Sequence, residues 1–153
     1  MPNPIVDILQ AVKQHLEGQT FAQAVQVSRS YRPRVDLAQL DDVIVTVVPR
    51  AAEDAMVSRG MFSRDVEIDV AIQAKLTEQT IAEQDELMAL VQEIADALRG
   101  RKMGDAVWIR QRNDPIYAPE HLDRFEVFTS LITVTYRTAG LNSSGDSGGG
   151  GSQ

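Results

Sequence analysis

Apolar and polar positions along the chain fall into two distinct rhythms. Ile5, Ile8, Leu9, Val12 and Leu16 recur at the spacing of one helical stripe behind Asn3 and Pro4, a cap and first-turn pair, and Gly18 closes the segment. Leu87, Leu90, Val91, Ile94 and Leu98 repeat that stripe. It begins at Thr80-Ile-Ala-Glu83, a capping box in which Thr80 accepts from the Glu83 amide and Glu83 reaches back to the Thr80 amide. Arg99, Gly100, Arg101 and Lys102 supply a left-handed stop and the positive charge suited to a helix C-terminus.

Between the helices the period shortens to two. Phe21, Val25, Val27 and Tyr31 share one parity, with Gln26, Ser28, Ser30 and Arg32 on the other, which predicts a strand stopped by Pro33. Arg29 breaks the apolar parity, either because the strand end leaves the core or because it forms an intersubunit ion pair. Residues 35–42 read as a connection. Val43 to Val48 is a nearly continuous apolar run, the mark of a strand covered on both faces, and with two good helices a neighbouring subunit is the expected second cover. Pro49 to Gly60 lacks a period and reads as a loop with a helical turn, made basic by Arg50 and Arg59, with Arg64 just beyond. From Asp65, Val66, Ile68, Val70 and Ile72 alternate with Glu67, Asp69, Ala71 and Gln73 as a half-buried strand.

After the second helix, Gly104 to Arg110 is a short strand candidate carrying the only Trp, Trp108, read as a core or interface anchor. Asn113-Asp-Pro115 signals a turn, and Ile116 to Leu122 an irregular connection. Phe125 to Tyr136, rich in β-branched and aromatic residues, reads as the longest strand. Its parity is mixed, so either a bulge near Ser130 flips the phase or both faces are buried. Residues 1–138 thus form one α+β domain with a mixed, mainly antiparallel sheet and both helices on one face, and 139–153 a Gly/Ser-rich flexible tail.

Composition narrows the function. A charge of −7 argues against a protein whose main work is gripping phosphate backbones. No cysteine is available for a disulfide, thiolate site or nucleophile, and no segment approaches a membrane span. His15 and His121 stand apart from each other and from any zinc-binding spacing; His15 suits the end of the first helix. Asp41-Asp42 and the Glu67/Asp69 parity read as solvated acids, since a magnesium site needs further converging oxygens. With neither a nucleophile motif nor a glycine-rich phosphate loop, no catalytic, metal or cofactor-binding residue is assigned, and a non-enzymatic protein without cofactor is expected.

The element order resembles the small tail-terminator or tail-completion proteins of long-tailed bacteriophages. The segments carrying the likeness are Val25 to Pro33, the Asp65-Val-Glu-Ile-Asp-Val-Ala-Ile strand, the Asp85 to Ile94 helix and the closing Phe128 to Arg137. The resemblance implies a non-enzymatic virion protein of the tail-neck region, assembled in the bacterial cytoplasm. It implies a ring, hexameric in that family, that caps the tail tube, ends its polymerisation and meets the head connector. The implied partners are other copies of the chain, the tail-tube protein, the head-completion protein, and DNA crossing the lumen without sequence-specific binding. Sheets packed across subunit boundaries would then explain the Val43 to Val48 run. Candidate contacts are Arg29, Tyr31, Arg50, Arg59, Arg64, Tyr117, His121, Phe128 and Tyr136. Another neck component, or a small α+β ligand-binding module, are the alternative readings.

Overall fold

The computed structural model describes residues 3–31 and 43–141. Three helices, α1 (Pro4–Glu17), α2 (Ile81–Leu98) and α3 (Pro119–Phe125), accompany five strands. The strands are β1 (Val25–Arg29), β2 (Val43–Ser58), β3 (Met61–Lys75), β4 (Val107–Asn113) and β5 (Val127–Leu141). They form one sheet in the order β1-β2-β3-β5-β4, parallel between β1 and β2 and antiparallel elsewhere. The fold is α+β with a mixed, mainly antiparallel sheet and helices packed against it.

The helices begin where their caps sit. Asn3 Oδ1 accepts from the amides of Ile5 and Val6 at 3.0 and 3.2 Å, and Thr80 Oγ1 accepts from Glu83 N at 3.1 Å. The Glu83 carboxylate does not close the expected box on Thr80. It gathers the amides of Thr77, Glu78 and Gln79 and the Thr77 hydroxyl, at 2.8 to 3.0 Å, and so ties the β3–α2 link to the first turn. Gly100 takes the left-handed conformation at φ 72 beyond α2. His15 meets the end of the other helix, its Nε2 lying 2.8 Å from the Ala97 carbonyl.

Ile8, Leu9, Val12 and Leu16 of α1 and Leu87, Leu90, Val91, Ile94 and Leu98 of α2 enclose one face of the sheet. That face is lined by Val45 and Val47, by Val66, Ile68, Val70 and Ile72, and by Phe128, Ile132, Val134 and Tyr136. Fully burying one such aliphatic or aromatic side chain contributes about 1.5–3 kcal/mol, so these rows dominate the stability. Trp108 packs against the core from β4; its indole donates to Gln111 Oε1, and Gln111 donates in turn to the Ala95 carbonyl of α2.

Several expectations change. The Val43 to Val48 run is shielded on both faces within one chain, with Thr46 and Val48 only 2% and 5% exposed opposite the helices. The run therefore requires no second subunit. Pairing from Lys75↔Val127 to Met61↔Leu141 proceeds without a register shift, so β5 has no bulge at Ser130 and is instead buried on both faces. Its start is displaced, because Phe125 closes α3 and the strand opens at Val127. α3 replaces part of the expected irregular connection, with Pro119 at its start and Leu122 against the core. β1 is shorter than expected, β4 lies further along, and β5 extends to Leu141. The expected stop at Pro33, the 35–42 connection and the remainder of the Gly/Ser tail lie outside the described residues.

The largest change concerns Pro49 to Gly60. This segment is no loop but the outer half of β2, which pairs with β3 row by row up to Ser58↔Met61.

Candidate assembly surface

β2, β3 and β5 run on past the helix-covered core as a three-stranded arm. The last fully buried row is Val66 with Tyr136; beyond it β3 continues to Met61, a reach of about 17 Å at 3.3–3.4 Å per residue. Every residue of β2 from Arg50 to Ser58 is exposed. The arm turns at Arg59-Gly60, where Gly60 at φ 77 holds the left-handed conformation that an L side chain resists. Met56, Val57 and Met61 lie near the tip with exposures of 66%, 62% and 38%. Apolar side chains this open at the end of a projecting hairpin belong to no core of this chain.

Pairing across the arm explains how it holds its shape without a second layer. Asp54 faces Arg64, which donates through Nε and Nη2 at 2.6 and 3.1 Å. Asp65 faces Arg137 of β5, which donates likewise at 2.7 and 3.0 Å. The Arg64 guanidinium holds the Asp54 carboxyl below the usual carboxylate range, and Arg137, aided by the charge of Arg110, does the same for Asp65. Nearer the core Arg50 reaches Glu67 and Asp69 at 3.3 and 3.4 Å, and Asp69 accepts from Thr133 Oγ1 at 2.7 Å. The alternate acids of β3 thus form a ladder with arginines on both flanks, not a free solvated row.

The candidate contacts divide accordingly. Arg50, Arg59 and Arg64 all lie on the arm but apart: Arg50 at its base is bound to Glu67 and Asp69, Arg64 on the opposite parity of β3 is bound to Asp54, and Arg59 is exposed in the turn. Tyr31 lies 71% exposed just past the end of β1, close to the arm's base, since Ser30 N donates to Val47 O. Arg29 is half-buried, with Nη1 3.4 Å from Gln10 Oε1 of α1. Tyr117 and its neighbour Ile116 are exposed beside the opposite end of β5, where Ala118 N donates to Thr129 O. His121 stands in the same region with Nδ1 2.7 Å from Thr129 Oγ1. Phe128 and Tyr136 require correction: at 3% and 0% exposure they belong to the core and cannot meet a partner in the folded chain. Their even parity with Ile132 and Val134 was the available signal.

Sequence reasoning missed Met56, Val57 and Met61. The one hint was Ser58-Arg-Gly60 placed directly before a strand pattern.

Among the described residues, no group of three or more His, Asp or Glu side chains is placed to hold a metal, and no helix is long and apolar enough to cross a membrane. An open cleft beside α2 is lined by Gln23, Val43, Lys75, Glu83 and Glu86.

No family model and no curated protein matches this chain. Among solved structures, a chain of the virion of a native gene transfer agent particle is similar at 14% identity. The match covers 86% of this chain and 94% of that one, with a TM-score of 0.49.

Proposed function

We propose that this chain is a non-catalytic structural protein of a phage-type virion, forming a ring that caps the tail tube, ends its growth and joins it to the head connector. The observation that carries the reading is the arm: an ion-paired, three-stranded projection with an apolar tip at Met56, Val57 and Met61. A paired projection this open at its end suits contact with other protein. The resemblance of element order to tail terminators supplies the kind of contact. In that role the virion neck is the protein's place, the tail-tube and head-completion proteins its partners, and DNA a passenger through the lumen.

The test is co-assembly. Tail-tube protein from the same gene cluster is polymerised with and without this chain, and tubes are imaged by electron microscopy. Shortened tubes carrying ring-shaped density at one tip are expected. Unchanged tube lengths with bare tips would overturn the proposal.

A further inference from the structure

We propose that the arm joins copies of this chain edge to edge, the outer edge of β2 in one copy pairing with the outer edge of β5 in the next. The proposal rests on the ring reading and specifies the contact that would close it.

The sheet leaves these two edges bare among the described residues. β1 pairs with β2 from Val43 to Val47, and β4 pairs with β5 from Ile132 to Arg137. Beyond those rows only β3 accompanies either strand. Because Ser30 N donates to Val47 O, the odd residues at the start of β2 turn their backbone groups toward β1. The irregularity between Pro49 and Ala51 exchanges that parity, so Ala52, Asp54 and Met56 present their amides and carbonyls outward. On β5, Leu131 N donates to Pro115 O and Thr129 O accepts from Ala118 N, which places odd residues on the outer side and leaves Ala139 facing away from β3. Isolated edges are usually guarded by lysine, proline, other charges or bulges. Past Pro49 this arm carries neither lysine nor proline; its two irregularities, at Pro49/Ala51 and Met56/Ser58, lie at the ends of the outward row Ala52, Asp54 and Met56.

Charge selects the partner. Glu53 lies in register with Asp65, like charge beside like charge, and Arg137 satisfies only Asp65. Glu53 is exposed and forms no ion pair among the described residues. At the opposite edge of the sheet, exposed Arg112 of β4 forms none among the described residues, and exposed Arg110 forms no direct ion pair, acting on Asp65 through its charge alone. A two-fold contact through β2 would oppose acid to acid, and one through the β4 and β5 side would oppose arginine to arginine. A head-to-tail contact sets Glu53 against the basic side, the arrangement that closes into a ring. β2 and β5 both run antiparallel to β3, so they share a direction that rotation about an axis along the arm preserves. The new pairing is therefore parallel.

The test uses the full chain without tube protein. Met56→Pro removes an outward amide from β2 and Ala139→Pro one from β5; circular dichroism checks that both fold. Native mass spectrometry across concentration is expected to show closed oligomers for the wild type, monomers for each variant, and a dimer for their equimolar mixture, which keeps one intact pair of edges. If either proline disrupts folding, Glu53→Lys serves instead and raises the concentration for half-association about tenfold or more at low salt. A monomeric wild type, a variant that assembles normally, or a mixture that stays monomeric or grows past the dimer would overturn the contact. Caps on tube tips that tolerate both prolines would remove this contact and leave the ring role standing; absence of any cap would remove the role.

Discussion

Arg64 and Asp54 oppose each other across β3 and β2 and share two hydrogen bonds at 2.6 and 3.1 Å, outside the rows that α1 and α2 cover. With no helix over it, the arm keeps its register through such cross-strand pairs and its backbone ladder. Arg64→Ala is expected to speed amide hydrogen exchange from Ala51 to Asp65 while leaving the thermal midpoint of the domain nearly unchanged. Exchange confined to the core strands, with the arm unaffected, would contradict this division.

Burial pushes the Glu83 carboxyl up, but the amide donors of Thr77, Gln79 and Glu78 outweigh it and leave it lowered; Asp54 and Asp65 are lowered by Arg64 and Arg137. A carboxyl lowered in the folded state contributes stability that is fully present above its unfolded value of about 4 and is lost as pH falls through the folded value. Urea midpoints are therefore expected to drop from about pH 5 to about pH 2. Glu83→Ala should cost about 1–2 kcal/mol at neutral pH and flatten part of that acid decline. A parallel decline in the variant would assign the acid sensitivity elsewhere.

Tyr136 is fully buried, and its hydroxyl has no hydrogen-bond partner among the described residues; burial raises its pKa strongly. Removing an unsatisfied buried polar group relieves a desolvation cost, so Tyr136→Phe should leave stability unchanged or raise it by up to about 1 kcal/mol. Thermal unfolding reports this directly. Assembly should be untouched, because the ring of Tyr136 faces the core.

Val45 is 1% exposed and packs in the core beneath the helices. Val45→Asp places an unpaired carboxylate there and should prevent folding, seen as insoluble expression or loss of near-ultraviolet dichroism. Failure at folding, rather than at assembly alone, is the expected outcome because the surrounding shell belongs to one chain. A soluble, folded, non-assembling variant would show that the run meets another subunit.

Both long helices, and with them the α+β class, were legible because each helix has one wet and one dry face, and that contrast writes a period into the sequence. The Val66 to Ile72 alternation was legible through Glu67 and Asp69, although Ala71 and Gln73 on the same parity, expected outward, are buried at 2% and 3%. The arm was not legible, for the same reason inverted. Ala51 to Ser58 is exposed on both faces, so no alternation exists there to read, and Pro49 is accommodated because it sits on the bare edge of β2, where a missing amide costs the ladder nothing. The mixed parity of β5 hid the opposite condition, burial on both sides. α3 was obscured by its shortness, and Phe128 and Tyr136 were assigned to a surface because two faces of one strand looked equally apolar.

β3 passes without interruption from the core at Val70 to the tip at Met61, bonded along its length to β2 and β5. A pull on the tip along the strands therefore loads many backbone hydrogen bonds sideways at once instead of peeling them singly. Tension from a neighbouring molecule reaches the rows under α1 and α2 directly, and the arm behaves as a tie rod anchored in the domain.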